Sequence, residues 1–448
     1  MPSSLRGSLE KTFEALKFRD FRLLWISSLS AAFAIQMQIL ARGWLIYDLT
    51  ESELALTYVM LSFLLPSAAF SLVGGVLSDR IRKKTIMLIA QCLNTVATLA
   101  FGIIIFVDAV NFWHFIYFGI FNGTVMALSM PARTSVLPDL VGRPSLVNAM
   151  ALSSSTFNLA RVAGPTAAGT LIALFAAGDT TSTRGVGLVF FVITGLHAIS
   201  IVGTYMLDYR GDPHRKIKKK VRRDVVESMV YMRRNRVLLG LLLMGLIPMT
   251  FGFSASFLMP AFNAEILNGD PRLLGFLVAA MGIGALFGSL TLARLGDVGH
   301  KGRLMFLTAY LWAIFVALFA VSSILWFALL FSALMGLFSS VLGSLNMSVV
   351  QLVVPPSMRG RVMAILWATH GLMPLGMIPI GWLAEFWGIT FALLTSAVLL
   401  AGSTFALRVF IPEIAKIRRG YDEPSRYQDK TDPDDEKYET PQSLTVAS

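Results

Sequence analysis

Long, continuous runs of apolar residues follow one another along almost the whole chain, with short polar stretches between them. The runs lack the residue-by-residue alternation of a barrel strand, so they predict helices. A helix needs about 20 apolar residues to cross the hydrocarbon core of a bilayer, and twelve runs are long enough. They lie at residues 21–47, 54–77, 85–107, 112–131, 146–176, 186–207, 237–266, 272–294, 302–321, 324–347, 362–386 and 389–411.

The composition indicates a membrane protein. Of the 448 residues, 55% are apolar and only 15% are charged, which is more apolar surface than a soluble fold of this size can cover. The predicted fold class is therefore an all-α integral membrane protein with twelve transmembrane helices. Cys92 is the only cysteine, so neither a disulfide framework nor a cysteine metal site is expected, and no cofactor is indicated.

Basic residues concentrate in alternate loops. The chain has 38 Lys and Arg against 27 Asp and Glu, a formal net charge of +11. The six loops on one side contain only two basic residues, Arg184 and Arg272. The loops on the opposite side contain most of the other Lys and Arg residues. Because cytoplasmic loops are rich in Lys and Arg, both termini are predicted to be cytoplasmic. The charge does not form the basic face that binds nucleic acid, so no nucleic-acid partner is expected.

Polar and charged stretches divide the chain into five parts. A cytoplasmic segment, 1–20, precedes a six-helix bundle at 21–207; a basic linker, 208–236, leads to a second six-helix bundle at 237–411; and a polar tail follows at 412–448. We expect the linker to lie as an amphipathic helix on anionic lipid, with nuclear targeting or nucleic-acid binding as the alternative. The tail is predicted to be disordered.

The two predicted bundles share two motifs. LSDRIRKKTIML after the second span matches LGDVGHKGRLMF after the eighth, with Asp79 and Asp297 separated by 297 − 79 = 218 positions. GPTAAGTLIA in the fifth span matches GMIPIGWLAE in the eleventh, with Gly164 and Gly376 separated by 376 − 164 = 212 positions. The nearly equal offsets indicate an internal repeat. Repeated six-helix halves are typical of secondary transporters, which bind substrate where the halves meet and work by alternating access.

The loop after the second span resembles a known motif. Residues 74–90, GGVLSDRIRKKTIMLIA, contain the glycine, acid and basic residues of the cytoplasmic loop motif of the major facilitator superfamily, here Gly75, Asp79, Arg80, Lys83 and Lys84. The resemblance covers residues 21–411. Arg82 stands where that motif usually has glycine, and the second-half copy has Val298 in place of an arginine. The stretches FRDFRLLWISSLSAAFAIQMQILARGWLIYDLTESELAL and LPSAAFSLVGGVLSDR are similar, more narrowly, to the efflux branch that contains the enterobactin exporter.

This resemblance implies a function. It implies a monomeric secondary transporter in a bacterial inner membrane, surrounded by lipid, that exports a small amphiphilic or anionic compound, drug-like or siderophore-like, by alternating access with proton antiport. An importer of a small metabolite is the alternative. No carboxylate lies inside the first or fourth span, so proton antiport rests on the resemblance alone.

Asp79 is an acid at the predicted membrane edge, where a carboxylate is unfavourable unless partners stabilise its charge. The resemblance implies a cytoplasmic latch in which Asp79 faces Arg133 and the positive end of the eleventh helix, which begins near Arg361. The alternative is an acid that is simply solvated.

The fifth span contains RVAGPTAAG, in which Gly164, Pro165 and Gly169 form a helix-packing motif that resembles a signature of superfamily antiporters. Small residues let helices approach closely, and proline bends a span. Generic close packing is the alternative.

Six residues are candidates for the substrate cavity: Arg161, Asn158, Gln38, Asn122, Phe253 and His370. Arg161 stands about 22 Å along its span, near the middle of the membrane, and no acid stands at a matching depth. It is expected either to hold an anionic group of the substrate or to make a structural hydrogen bond between helices. Gln38 shares a helix face with Arg42, for which Asp48 or Glu265 is a candidate partner. His370 is a candidate for proton relay or for hydrogen-bonded packing.

The sequence argues against an enzyme. It contains no HExxH, GxSxG or phosphate-binding glycine loop, and no pair of acids lies in the middle of a span. Neither catalytic residues nor a bound metal is therefore expected. A membrane sensor would not require two repeated halves.

Overall fold

The computed structural model describes residues 14–176, 183–209, 235–295, 299–354, 362, 366 and 374–417. All regular elements in these ranges are helical. Two short 3₁₀ turns, Glu14–Lys17 and Ile414–Lys416, flank the helices. The helices are α1 (Arg19–Thr50), α2 (Glu53–Arg80), α3 (Lys83–Phe106), α4 (Phe112–Phe175), α5 (Thr183–Tyr205), α6 (Arg236–Gly252), α7 (Ser254–Phe257), α8 (Met259–Glu265), α9 (Pro271–Leu295), α10 (Lys301–Ala320), α11 (Leu325–Val353), α12 (Pro374–Trp387) and α13 (Ile389–Phe410).

The predicted all-helical membrane fold is confirmed. Within the described ranges, ten helical segments are long and apolar enough to cross a membrane. The predicted fifth span falls in the second part of α4, and only the second part of the predicted eleventh span is described, as α12. The linker 208–236 and the tail 412–448 lie almost entirely outside the described residues.

Helix α4 contains 64 residues and reverses direction. A straight helix of that length would span about 96 Å. Phe118, near its start, has its ring centroid 6.5 Å from that of Phe190 on α5, and Ala176, just after its end, packs against Gly185 on α5. Since Gly185 and Phe190 are only about 7.5 Å apart along their helix, both ends of α4 lie together. We call residues 112–141 its descending arm and residues 149–175 its returning arm.

The reversal of α4 is held from both sides. Lys83 donates to the carbonyl oxygen of Ser135 at 3.1 Å, and the side-chain oxygen of Asn148 accepts from the backbone amide of Ala15 at 3.0 Å. The sequence predicted two separate spans here. The two spans were predicted from hydropathy, which shows where the chain is apolar but not where a helix ends. The polar stretch between them is therefore free to remain helical where the chain turns at the membrane edge.

The first five helices pack among themselves, as do α6–α13, and the two groups meet mainly through α4 with α9 and α2 with α12. The helices of the two groups approach each other closely at these contacts. A Cβ atom added at Gly169 would overlap the carbonyl oxygen of Pro271, and one added at Gly381 would overlap the hydroxyl of Thr57. We call this end of the molecule the Ser52 end and the opposite one the Lys83 end. The predicted domain boundaries remain a prediction.

Candidate functional site

A cavity of about 710 Å³ lies between the two groups of helices. Helices α1, α2 and the returning arm of α4 line it from one group; α6–α9, α11 and α12 line it from the other. Ligand sites for drug-sized compounds are commonly apolar clefts of about 300–1,000 Å³ with a few placed polar groups. This cavity has that size and lies where the halves of a transporter would meet.

Most of the cavity wall is apolar and flexible. Phe253 and Phe257 contribute aromatic surface, and seven methionines line the wall: Met60, Met244, Met249, Met259, Met281, Met347 and Met377. Methionine side chains are unbranched and polarizable, so they adapt to ligands of different shape. The lining therefore suits a bulky apolar body without demanding one outline.

Arg161 is the only charged residue among the described residues that line the cavity. It stands on the returning arm of α4, whose backbone there packs against Gly282 of α9. No acid is among the lining residues, and the described part of the chain offers Arg161 no ion pair. Arginine stays ionised in proteins and presents a planar fork of donors. The cavity therefore presents a positive charge that a carboxylate, sulfonate or phosphate group can neutralise.

Uncharged polar groups lie elsewhere on the wall. Helix α11 contributes Ser340, Ser344 and Asn346, and α1 contributes Gln36. None of these four was among the predicted cavity residues. The cation is thus on α4, whereas most of the neutral hydrogen-bonding groups are on α11.

The structure separates the predicted cavity residues. Arg161 and Phe253 line the cavity, but Gln38, Asn158 and Asn122 do not, and His370 lies outside the described residues. Helical geometry explains Gln38. Residues 36, 39, 40 and 43 share the face that lines the cavity, and a residue two positions from Gln36 lies about 200° around the helix. Gln38 is accordingly buried, 4% exposed, away from the cavity.

Asn122 lines a second, smaller pocket of about 80 Å³ inside the first group of helices. Its side-chain nitrogen lies 3.5 Å from the side-chain oxygen of Asn94. Arg133 and His197 line the same pocket. Arg42 is also buried, with its guanidinium 5.7 Å from the ring centroid of Phe118. Among the described residues no ion pair joins it to Glu265, and its pairing with Asp48, the other candidate, stays a prediction.

The loop motif lies at the Lys83 end. Lys83 pairs with Asp139 at 3.0 Å, and Lys84 donates to the carbonyl oxygen of Leu207. Arg80 is exposed. The surroundings of Gly75, the side chain of Asp79 and the whole of Arg361 lie outside what the structure describes. The latch between Asp79 and Arg133 therefore stays a prediction.

Hydrogen bonds join the two groups of helices at the Ser52 end. Tyr47 donates to Glu265 at 2.5 Å. Glu385 accepts from the hydroxyl of Ser52 at 2.7 Å and from the backbone amide of Leu54 at 3.1 Å. Because these bonds connect α1 and α2 to α8 and α12, they close the cavity toward this end. No local sequence pattern predicts these bonds, since each joins residues more than 200 positions apart.

Comparison with known proteins places the chain among membrane transporters. A family model described as transmembrane secretion effector matches residues 10–427. Macrolide efflux protein A of Streptococcus pyogenes is 25% identical over 408 residues, which are 89% of this chain and 96% of that protein. The enterobactin exporter EntS of Shigella boydii is 25% identical over 301 residues, which are 67% of this chain and 69% of that protein.

Solved transporter structures have a similar fold. A bacterial homologue of the human lysosomal transporter Spinster superposes with a TM-score of 0.70 at 14% identity, covering 90% of this chain and 99% of that one. A D-xylose–proton symporter superposes with a TM-score of 0.65 at 14% identity, covering 91% and 99%. At this identity the likeness shows the fold alone.

Proposed function

The chain belongs to the transmembrane secretion effector family of the major facilitator superfamily, whose members are membrane transporters and not enzymes, and we propose that it exports a small amphiphilic compound bearing an anionic group. One observation carries this proposal, namely that Arg161 is the one charged group among the described residues of a methionine-rich cavity wall and has no acidic partner among them. The names of the similar efflux proteins support export over import.

The electrostatics of the cavity support an anionic substrate. Arg161 is exposed on the cavity wall, and none of the described lining residues carries a counter-charge for it. A substrate anion supplies that counter-charge when it enters, while its apolar body contacts the methionine wall. A cationic substrate would instead be repelled by Arg161.

We further propose that the chain works as a monomer by alternating access, with proton antiport, in a bacterial inner membrane. The bonds that close the Ser52 end support a cycle in which that end opens and closes. The proposed orientation puts both termini and the Lys83 end in the cytoplasm, supported by the basic loops. We also propose that residues 21–207 and 237–411 form two six-helix domains, and that Asp79 and Arg133 form the cytoplasmic latch.

Transport by sealed inside-out vesicles tests the function. The probes are 8-anilinonaphthalene-1-sulfonate and N-phenyl-1-naphthylamine, which share a skeleton and differ in the sulfonate. We expect the sulfonate to accumulate in vesicles that contain the chain and not in vesicles without it. Accumulation only in right-side-out vesicles would indicate an importer. Accumulation that survives collapse of the pH gradient would contradict proton antiport and leave export standing.

A further inference from the structure

Asn346 combines burial with unused hydrogen-bonding capacity. It lines the cavity from α11 and is only 4% exposed. Its side-chain oxygen is buried without a partner, and its side-chain nitrogen lies 2.6 Å from the position that a Cβ atom would take on Gly245. Gly245 lines the cavity as well. The amide therefore sits at the cavity wall, held close to the backbone of α6.

Buried amides in native proteins are nearly always hydrogen-bonded to protein, ordered water or ligand. The described part of the chain offers the side-chain oxygen of Asn346 no such partner. A nearby serine shows the contrast. The hydroxyl of Ser339, which also lines the cavity, is already bonded to the carbonyl oxygen of Gly336 at 3.0 Å.

We propose that Asn346 is a second anchor for the exported compound, binding an uncharged hydroxyl or amide group while Arg161 holds the anionic group. This inference rests on the proposed function. It narrows the substrate class to amphiphiles that carry an anionic group and, apart from it, an uncharged hydrogen-bonding group. Arg161 comes from α4 and Asn346 from α11, so a compound bound at both positions connects the two groups of helices.

Three naphthalene probes separate the two anchors. 6-Hydroxynaphthalene-2-sulfonate carries both groups, naphthalene-2-sulfonate lacks the hydroxyl, and 2-naphthol lacks the sulfonate. Their affinities are measured by displacement of 8-anilinonaphthalene-1-sulfonate from the full chain in lipid nanodiscs. In the unaltered protein we expect the hydroxyl to raise affinity about 3- to 10-fold, as one neutral hydrogen bond does.

The variants Asn346→Leu and Asn346→Ala should abolish the gain from the hydroxyl and keep the gain from the sulfonate. Arg161→Gln should do the reverse. The matched control is Ser403→Ala on α13, which should change neither gain because Ser403 is not among the cavity-lining residues and its hydroxyl is bonded to the carbonyl oxygen of Leu400 in its own helix at 3.1 Å.

Each outcome is decisive. A hydroxyl gain that is absent in the unaltered protein, or that survives in both Asn346 variants, overturns the inference and leaves the proposed function intact. Failure of both variants to fold makes Asn346 structural and also overturns it. Absence of any sulfonate gain in the unaltered protein contradicts the proposed function itself.

Discussion

The hydroxyl of Tyr47 donates a 2.5 Å hydrogen bond to Glu265, 218 positions further along the chain. The charges of Glu265 and Glu385 both act on the carboxyl group of Glu53. Glu53 is 6% exposed, and no described basic side chain pairs with these acids. Neighbouring carboxylates repel each other, and protonation of one of them removes that repulsion. Closure of the Ser52 end should therefore depend on protonation.

Raising the pH should open the Ser52 end. Loss of the proton leaves neighbouring carboxylates that repel each other, so the closed state is stabilised at low pH and loses that stabilisation as pH rises. In a Cys92→Ser background, Met60→Cys places a thiol in the cavity. Its labelling from the Ser52 end by an impermeant reagent should rise about tenfold with pH, since repulsion between neighbouring charges near a protein surface contributes ~1.5 kcal/mol.

Two controls accompany this measurement. Labelling of Leu49→Cys, at an exposed position, corrects for the reactivity of the thiolate itself. Adding Glu53→Gln should remove the pH dependence, because glutamine keeps the size of the side chain and does not titrate. An unchanged pH dependence in that variant would show that other groups control the opening.

A methyl group at Gly169 should weaken closure at the same end. Its Cβ atom would overlap the carbonyl oxygen of Pro271, and such overpacking typically costs about 1–3 kcal/mol. We expect Gly169→Ala to increase labelling of Met60→Cys. Gly195→Ala is the matched control, because nothing lies within 4 Å of its added Cβ atom. Equal labelling in both variants would refute the role of this contact.

Replacing Arg161 should change selectivity for charge. Arg161→Gln should weaken binding of 8-anilinonaphthalene-1-sulfonate about 10- to 100-fold, as expected for loss of a charged hydrogen bond, and leave N-phenyl-1-naphthylamine nearly unaffected. Arg161→Lys should lie between, because lysine keeps the charge and loses the planar fork. The control is Arg408→Gln, an exposed arginine on α13. Equal losses for both probes would make Arg161 a structural residue.

The proposed orientation can be tested with single cysteines in the Cys92→Ser background. Arg22→Cys lies at the Lys83 end, and Val107→Cys lies at the Ser52 end, where it is 61% exposed. In intact cells an impermeant thiol reagent should label position 107 and not position 22, because basic loops stay in the cytoplasm. After the membrane is permeabilised, both positions should react. The opposite pattern in intact cells would invert the topology.

The sequence by itself determined the membrane class, the helical fold and most helix positions. These depend on local properties, since a segment crosses a bilayer because of its own length and apolarity. The internal repeat and the loop motif also identified the superfamily, because both are written in consecutive residues such as those from Gly75 to Lys84. Arg161 was found in the same way, as a charge inside an apolar run.

Only the tertiary structure decided which faces of the helices meet. A membrane helix is apolar nearly all round, so no polar side indicates its inward face. Gln36 and Gln38 therefore look alike in the sequence, yet Gln36 lines the cavity and Gln38 does not. The bond between Tyr47 and Glu265 and the place of Asn346 likewise depend on packing between distant segments. Such contacts arise when separate helices assemble, and no local pattern records them.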